Sequence, residues 1–167
     1  SYWKGTSSEV VTYTAGSKHI GASAGTGASV TFTNTGGSAG YIPIEQGINY
    51  YLTVTDDFDN IEEVRLVSPY YGVLASATEH RAQTVYSDTS IRKTWTLIKE
   101  REYPWLPTSL EDCYLELIAV LPAGGQCRFR EPIFEPNHSD GDYFDGDNTN
   151  GGWLQGAENT GVADYRW

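Results

Sequence analysis

Methionine is missing altogether from this 167-residue sequence, and cysteine, histidine and cationic side chains are scarce. Without an initiator, Ser1 reads as the start of a processed chain or, as we expect, of a piece cut from a longer polypeptide; Ser1 to Gly5 opens directly into polar sequence, so no secretory signal is expected within it. Lysine and arginine total 11 against 22 acidic residues, a net charge of -11. Nucleic-acid affinity comes largely from cations that neutralise phosphates, so this balance excludes a nucleic-acid partner. It disfavours anionic membrane surfaces too. No apolar run approaches the roughly 18 residues that a spanning helix needs, so no membrane insertion is expected. The three histidines, His19, His80 and His138, sit in no nucleophile, zinc or phosphate motif. Glycoside hydrolysis needs two carboxylates flanking one bond at about 5 Å or about 6.5–9.5 Å. Many of the acids fall in turns such as Asp56 to Asp59 and Asp140 to Asp147, where carboxylates bond local backbone donors. The chain therefore does not read as an enzyme.

Cys113 and Cys127 make no disulfide framework. If 113–121 and 126–134 form a hairpin about Gly124, paired residue numbers sum to about 247, and the two cysteines lie roughly 20 Å apart. A disulfide requires α-carbons within about 7 Å, so two buried free thiols are expected. Further ligands for a metal are absent nearby.

Aromatic residues, by contrast, are abundant, with 12 Tyr and 5 Trp. Ile48 to Thr55 alternates, with Ile48, Tyr50, Leu52 and Val54 on one face and Asn49, Tyr51, Thr53 and Thr55 on the other. Val64 and Leu66 flank Arg65. Residues 73–90 suggest two short strands around a polar loop. In 93–99, Trp95 and Leu97 point inward. In 113–121, Leu115, Leu117 and Ala119 oppose Tyr114, Glu116 and Ile118. Gly, Pro, Asn and Asp punctuate these runs, and no helical apolar spacing persists beyond two turns. The pattern predicts an all-β fold, an antiparallel β-sandwich. Residues 1–40 would be N-terminal strands of the sandwich or the edge of a preceding domain. Residues 41–136 would form the core, and 137–167 an acidic closing tail packed on it.

Three segments carry a resemblance: GYIPIEQGINYYLTV (40–54), then KTWTLIKE (93–100) with CYLELIAVLPAGGQCRFREPIFEP (113–136), and DYFDGD (142–147) followed by Trp153 and Gly156. In this order they resemble the carbohydrate-binding-module-like jelly-roll domains of bacteriophage minor tail and tail-fibre proteins. The resemblance implies a jelly roll in a virion, outside the cell. Its partners would be other tail proteins or copies of itself, together with a host cell-surface glycan. It needs no organic cofactor and leaves room for a structural Ca²⁺ with unassigned ligands. Asp145, Asp147 and Thr149 start like an EF-hand loop, but Asn150 and Gly156 stand where Gly and Glu belong. Sugars stack their apolar faces on aromatic rings, which makes Tyr51, Tyr70, Tyr71, Trp105 and Tyr114 candidate contacts, with Arg65 and Glu116 as polar partners. Tyr50, Trp95 and Trp153 are read as core. Two alternatives stay open: a sugar-binding accessory module of a secreted bacterial glycosidase, and an architectural spacer without a ligand.

Overall fold

The structure, a computed structural model, describes residues 3–5, 11–14, 19–23, 29–34, 42–84, 90–98, 104–120 and 125–137. Within them the chain forms β1 (Lys4–Gly5), β2 (Val11–Thr14), β3 (His19–Ser23), β4 (Ser29–Thr33), β5 (Ile42–Glu45) and β6 (Tyr50–Asp56). There follow β7 (Ile61–Ser68), β8 (Gly72–Ala77), β9 (Arg81–Thr84), β10 (Ile91–Leu97), β11 (Ser109–Val120) and β12 (Gln126–Pro136). One sheet has the order β1-β4-β11-β7-β8, with β5 pairing the start of β11; the other runs β2-β3-β12-β6-β10-β9. Every pairing is antiparallel. The all-β sandwich expected from the alternation is the fold. Strands from residues 4–33 enter both sheets.

Inward residues from the two sheets close one core. Phe32, Leu66, Leu115 and Leu117 come from the first sheet, and Leu52, Trp95, Leu97 and Phe129 from the second, all buried. Each such side chain contributes roughly 1.5–3 kcal/mol through burial. Edge-on ring contacts join the layers: Phe129 meets both Trp3 and Phe32 at 5.1 Å. Tyr50 stacks on Phe134 at 5.0 Å, and its hydroxyl accepts the Glu45 N–H at 2.8 Å.

The expected hairpin between 113–121 and 126–134 is not formed. β11 is flanked by β4 and β7 in one sheet, β12 by β3 and β6 in the other. The chain crosses between layers there, and the Asn60 side-chain amide donates to Val120 O and Gln126 O, both at 3.1 Å, at either end of the crossing. The two cysteines are nonetheless free and buried. Desolvation, and secondarily the charge of Asp112, pushes the Cys113 thiol up to about 11.

Two inward positions carry charge. Lys93 shares its face of β10 with Trp95 and Leu97, and Asp56 ends the inward row of β6. The Lys93 ammonium donates to Asp56 Oδ2 at 2.9 Å and to Ile61 O at 3.0 Å, and lies 2.6 Å from Asp59 Oδ1. Asp56 Oδ2 also accepts the Ile61 N–H at 2.8 Å. The acidic turn after β6 is thus pinned from inside the sandwich, with Asp59 at a positive φ of 56°. Beside it, buried Asp57 accepts from Arg128 Nε at 2.7 Å and Ser90 Oγ at 3.1 Å.

Candidate functional site

The sequence-derived candidates occupy three places. Tyr70 and Tyr71 form the turn between β7 and β8, and Trp105 lies in the loop before β11; they are 79%, 42% and 66% exposed. The Tyr71 and Trp105 rings lie 6.0 Å apart, inclined at 62°. Both supports are firm. Buried Ser68 accepts the N–H groups of Tyr70 and Tyr71 through its hydroxyl, at 3.2 and 3.1 Å, and Gly72 closes the turn at a φ of 80°. Under Trp105, the Gln46 amide donates to Leu106 O at 3.1 Å and Pro107 O at 2.8 Å, and the Gln46 N–H donates to Thr108 O at 3.0 Å. Leu106 is buried in the core, so the neighbouring Trp105 is held outward. A backbone braced in this way has little further entropy to lose when a ligand stacks on the ring it carries.

The second place is the outer face of the first sheet. Arg65 and Glu116 are direct partners across β7 and β11, and Tyr114 follows two positions before Glu116. Arg65 forks onto Glu63 at 3.1 and 3.2 Å and lies 3.8 Å from Glu116. The hydrogen bond to Glu63 raises the Arg65 pKa, against a smaller lowering by desolvation. Half-buried Tyr114 sits opposite Val67. This patch satisfies its own charges.

Tyr51 stands on the outer face of the second sheet, half-buried, between Thr96 of β10 and Glu135 of β12. Next to it the hydroxyls of Thr53 and Thr94 are 2.9 Å apart. At the bulge between Arg130 and Ile133, Glu131 takes a φ of 53°, and its main-chain carbonyl accepts from Arg92 at 2.8 Å. Tyr50 and Trp95 are core, as expected from their parity. Trp153, Tyr103, the 142–147 segment and the EF-hand-like positions 145–149 lie outside the described residues. Among the described residues, no cluster of three or more His, Cys, Asp or Glu is arranged to hold a metal ion.

Sequence reasoning missed a groove. A cavity of about 720 Å³ opens at the sandwich edge between β8 and the β9–β10 side of the other sheet. Ala75 and Ala77 occupy the inward positions of β8 opposite Leu66 and Val64, and such short side chains leave the edge unfilled. Two alanines in place of bulky residues on a strand's core parity were the available signal.

No protein-family model matches this sequence, and no curated protein does either. Solved structures do. An arabinose-bound GH51 α-L-arabinofuranosidase aligns over 85% of this chain and 24% of its own, with a TM-score of 0.53 and 15% identity. A cyclase from Fischerella sp. TAU, in complex with 4-(1H-indol-3-yl)butan-2-one, aligns over 72% of this chain and 65% of its own, at a TM-score of 0.45 and 15% identity. The chain spans about a quarter of the arabinofuranosidase, and at this identity the likeness is one of fold.

Proposed function

We propose that this domain is a non-catalytic β-sandwich of a bacteriophage tail that attaches to a host cell-surface glycan through the Tyr70–Tyr71–Trp105 platform. One observation carries the glycan reading: three large aromatic side chains are exposed together on two loops that hydrogen bonds brace. A spacer without a ligand has no use for grouped exposed rings, whereas their exposure is what a sugar-stacking surface requires. Two or three rings stacked on pyranose faces supply a few kcal/mol, roughly a millimolar site or better. Copies arrayed in a tail would turn that into avidity. The virion setting rests on the ordered sequence resemblance over about residues 40–160.

A second reading is an accessory module of a secreted glycosidase. It is favoured by the observation that a sandwich of this fold forms a quarter of an arabinofuranosidase.

The test is binding of the purified domain to bacterial cell walls and to an immobilised glycan panel, with Trp105→Ala and Tyr51→Ala alongside. Wild type should bind at least one glycan, and Trp105→Ala should weaken it about tenfold, the equivalent of ~1.4 kcal/mol. No binding by wild type would leave the architectural spacer standing instead.

A further inference from the structure

We infer that the groove between β8 and β10 is a second sugar-binding subsite, which takes the end of a polyhydroxylated chain whose body lies across the aromatic platform. The inference rests on the glycan reading above and adds a site to it.

The groove's chemistry is amphipathic. Val73 and Ile98 give it an apolar strip, Ser76, Thr94 and Thr96 line it with hydroxyls, and Glu79, His80 and Arg81 close it with planar groups. Carboxylate and guanidinium groups can each share two hydrogen bonds with neighbouring ligand hydroxyls, an imidazole nitrogen can share one, and the apolar strip suits the C–H face of a pyranose. Its volume of about 720 Å³ lies within the roughly 300–1,000 Å³ of small-molecule sites.

One backbone feature singles this groove out. Ile98, on its wall, has a φ of 57°, a left-handed conformation that β-branched residues rarely adopt. Backbone strain of that kind gathers at binding sites, where surrounding packing holds it in place. Behind the groove, the ring of His80 lies 5.4 Å from that of Trp95. Trp95 is fully buried, and its indole N–H has no hydrogen-bond acceptor among the described residues. That N–H lies outside the groove's lining, and the His80 ring separates it from the groove.

The groove also connects to surfaces already described. β8 leaves the platform directly, through Tyr71, Gly72 and then groove-lining Val73. On the other side, Thr96 is the cross-strand partner of Tyr51. A chain stacked on Trp105 and Tyr71 therefore has a path into the groove along β8.

The experiment uses the tightest-binding oligosaccharide from the glycan panel, titrated into ¹⁵N-labelled domain, with Ser76→Trp, Thr96→Ala and Trp105→Ala variants. Shifts at Ser76, Glu79, His80 and Thr96, with at least a fivefold loss of affinity in Ser76→Trp, would support the subsite. Thr96→Ala removes a hydroxyl without adding bulk, and a twofold to fivefold loss there supports it even if Ser76→Trp folds poorly. Shifts confined to residues 70–71 and 104–106, with both groove variants binding like wild type, would overturn the subsite and leave the platform reading intact. Shifts of the groove residues that depend on protein concentration without sugar would assign it to a second copy and overturn it as well. No sugar bound by wild type would overturn both readings.

Discussion

Replacing Lys93 with methionine isolates the charge pair that pins the turn after β6. The side chains of Lys93 and Asp56 are 2% and 0% exposed, so neither has water to fall back on. Methionine fills much of the same volume but strands the Asp56 carboxylate with the Ile61 N–H as its remaining donor in the turn. Breaking a buried pair from one side costs about 3–5 kcal/mol. For a domain of this length each kcal/mol lowers the melting midpoint by roughly 2–4 °C, so the drop should be about 6–20 °C. Thermal and urea melts followed by circular dichroism measure it, and the double variant Lys93→Met/Asp56→Asn completes the cycle. Because the damage lies in the uncompensated charge, the double variant should recover 2 kcal/mol or more of the loss, about half of that cost. A single-variant loss below about 1 kcal/mol, the value of an exposed pair, would refute the reasoning.

Other consequences are equally accessible. Cys113 and Cys127 should resist thiol reagents at pH 8 in the folded protein and react once urea unfolds it; rapid labelling of the folded form would contradict their burial. Folding favours the protonated Cys113 thiol, since burial pushes its pKa up to about 11 from an ordinary 9.0. Its stabilising contribution is therefore complete below pH 9 and is lost as pH rises through 11, by about 3 kcal/mol in all. That slope should be absent from Cys113→Ala, and equal slopes in both proteins would reject the assignment. Leu117→Ala should cost about 2–5 kcal/mol in urea melts, and a cost under 1 kcal/mol would place that side chain outside the core. Gln46→Ala removes the support under Trp105, so glycan affinity should fall severalfold while stability drops by only about 1 kcal/mol. Unchanged affinity would show that the loop needs no such brace.

The strands were legible because alternation is a direct consequence of a pleated chain buried on one face. Leu115, Leu117, Leu52 and Trp95 all lie on the faces that parity assigns them. The partner of each strand was less accessible. A hairpin whose numbers sum to 247 would set inward Leu117 opposite Arg130, and residues directly opposite in an antiparallel pair share a face. That mismatch of parity already argued against the hairpin, and the structure places β11 and β12 in separate layers. Parity also put Lys93 and Asp56 on the core side, where a charge demands a partner. The pair was readable, but its adjacency depends on β6 and β10 being neighbours, which local pattern does not reveal. Among the candidate contacts, loop aromatics were recognisable by type. Their grouping was not: Tyr71 and Trp105 are brought together by non-local hydrogen bonds and packing. The Arg65–Glu116 pairing was hidden for the same reason, since the two residues lie 51 positions apart in sequence on different strands.

The most direct test of the account is calorimetric titration of the best glycan into wild type and a Tyr70→Ala/Trp105→Ala double variant, with melting curves for both. The rings stand in solvent, so removing them should leave the melting midpoint within about 2 °C, whereas losing two stacking surfaces should weaken binding on the order of a hundredfold. Equal affinity in the two proteins would contradict the account, and so would a loss of affinity that merely tracks unfolding.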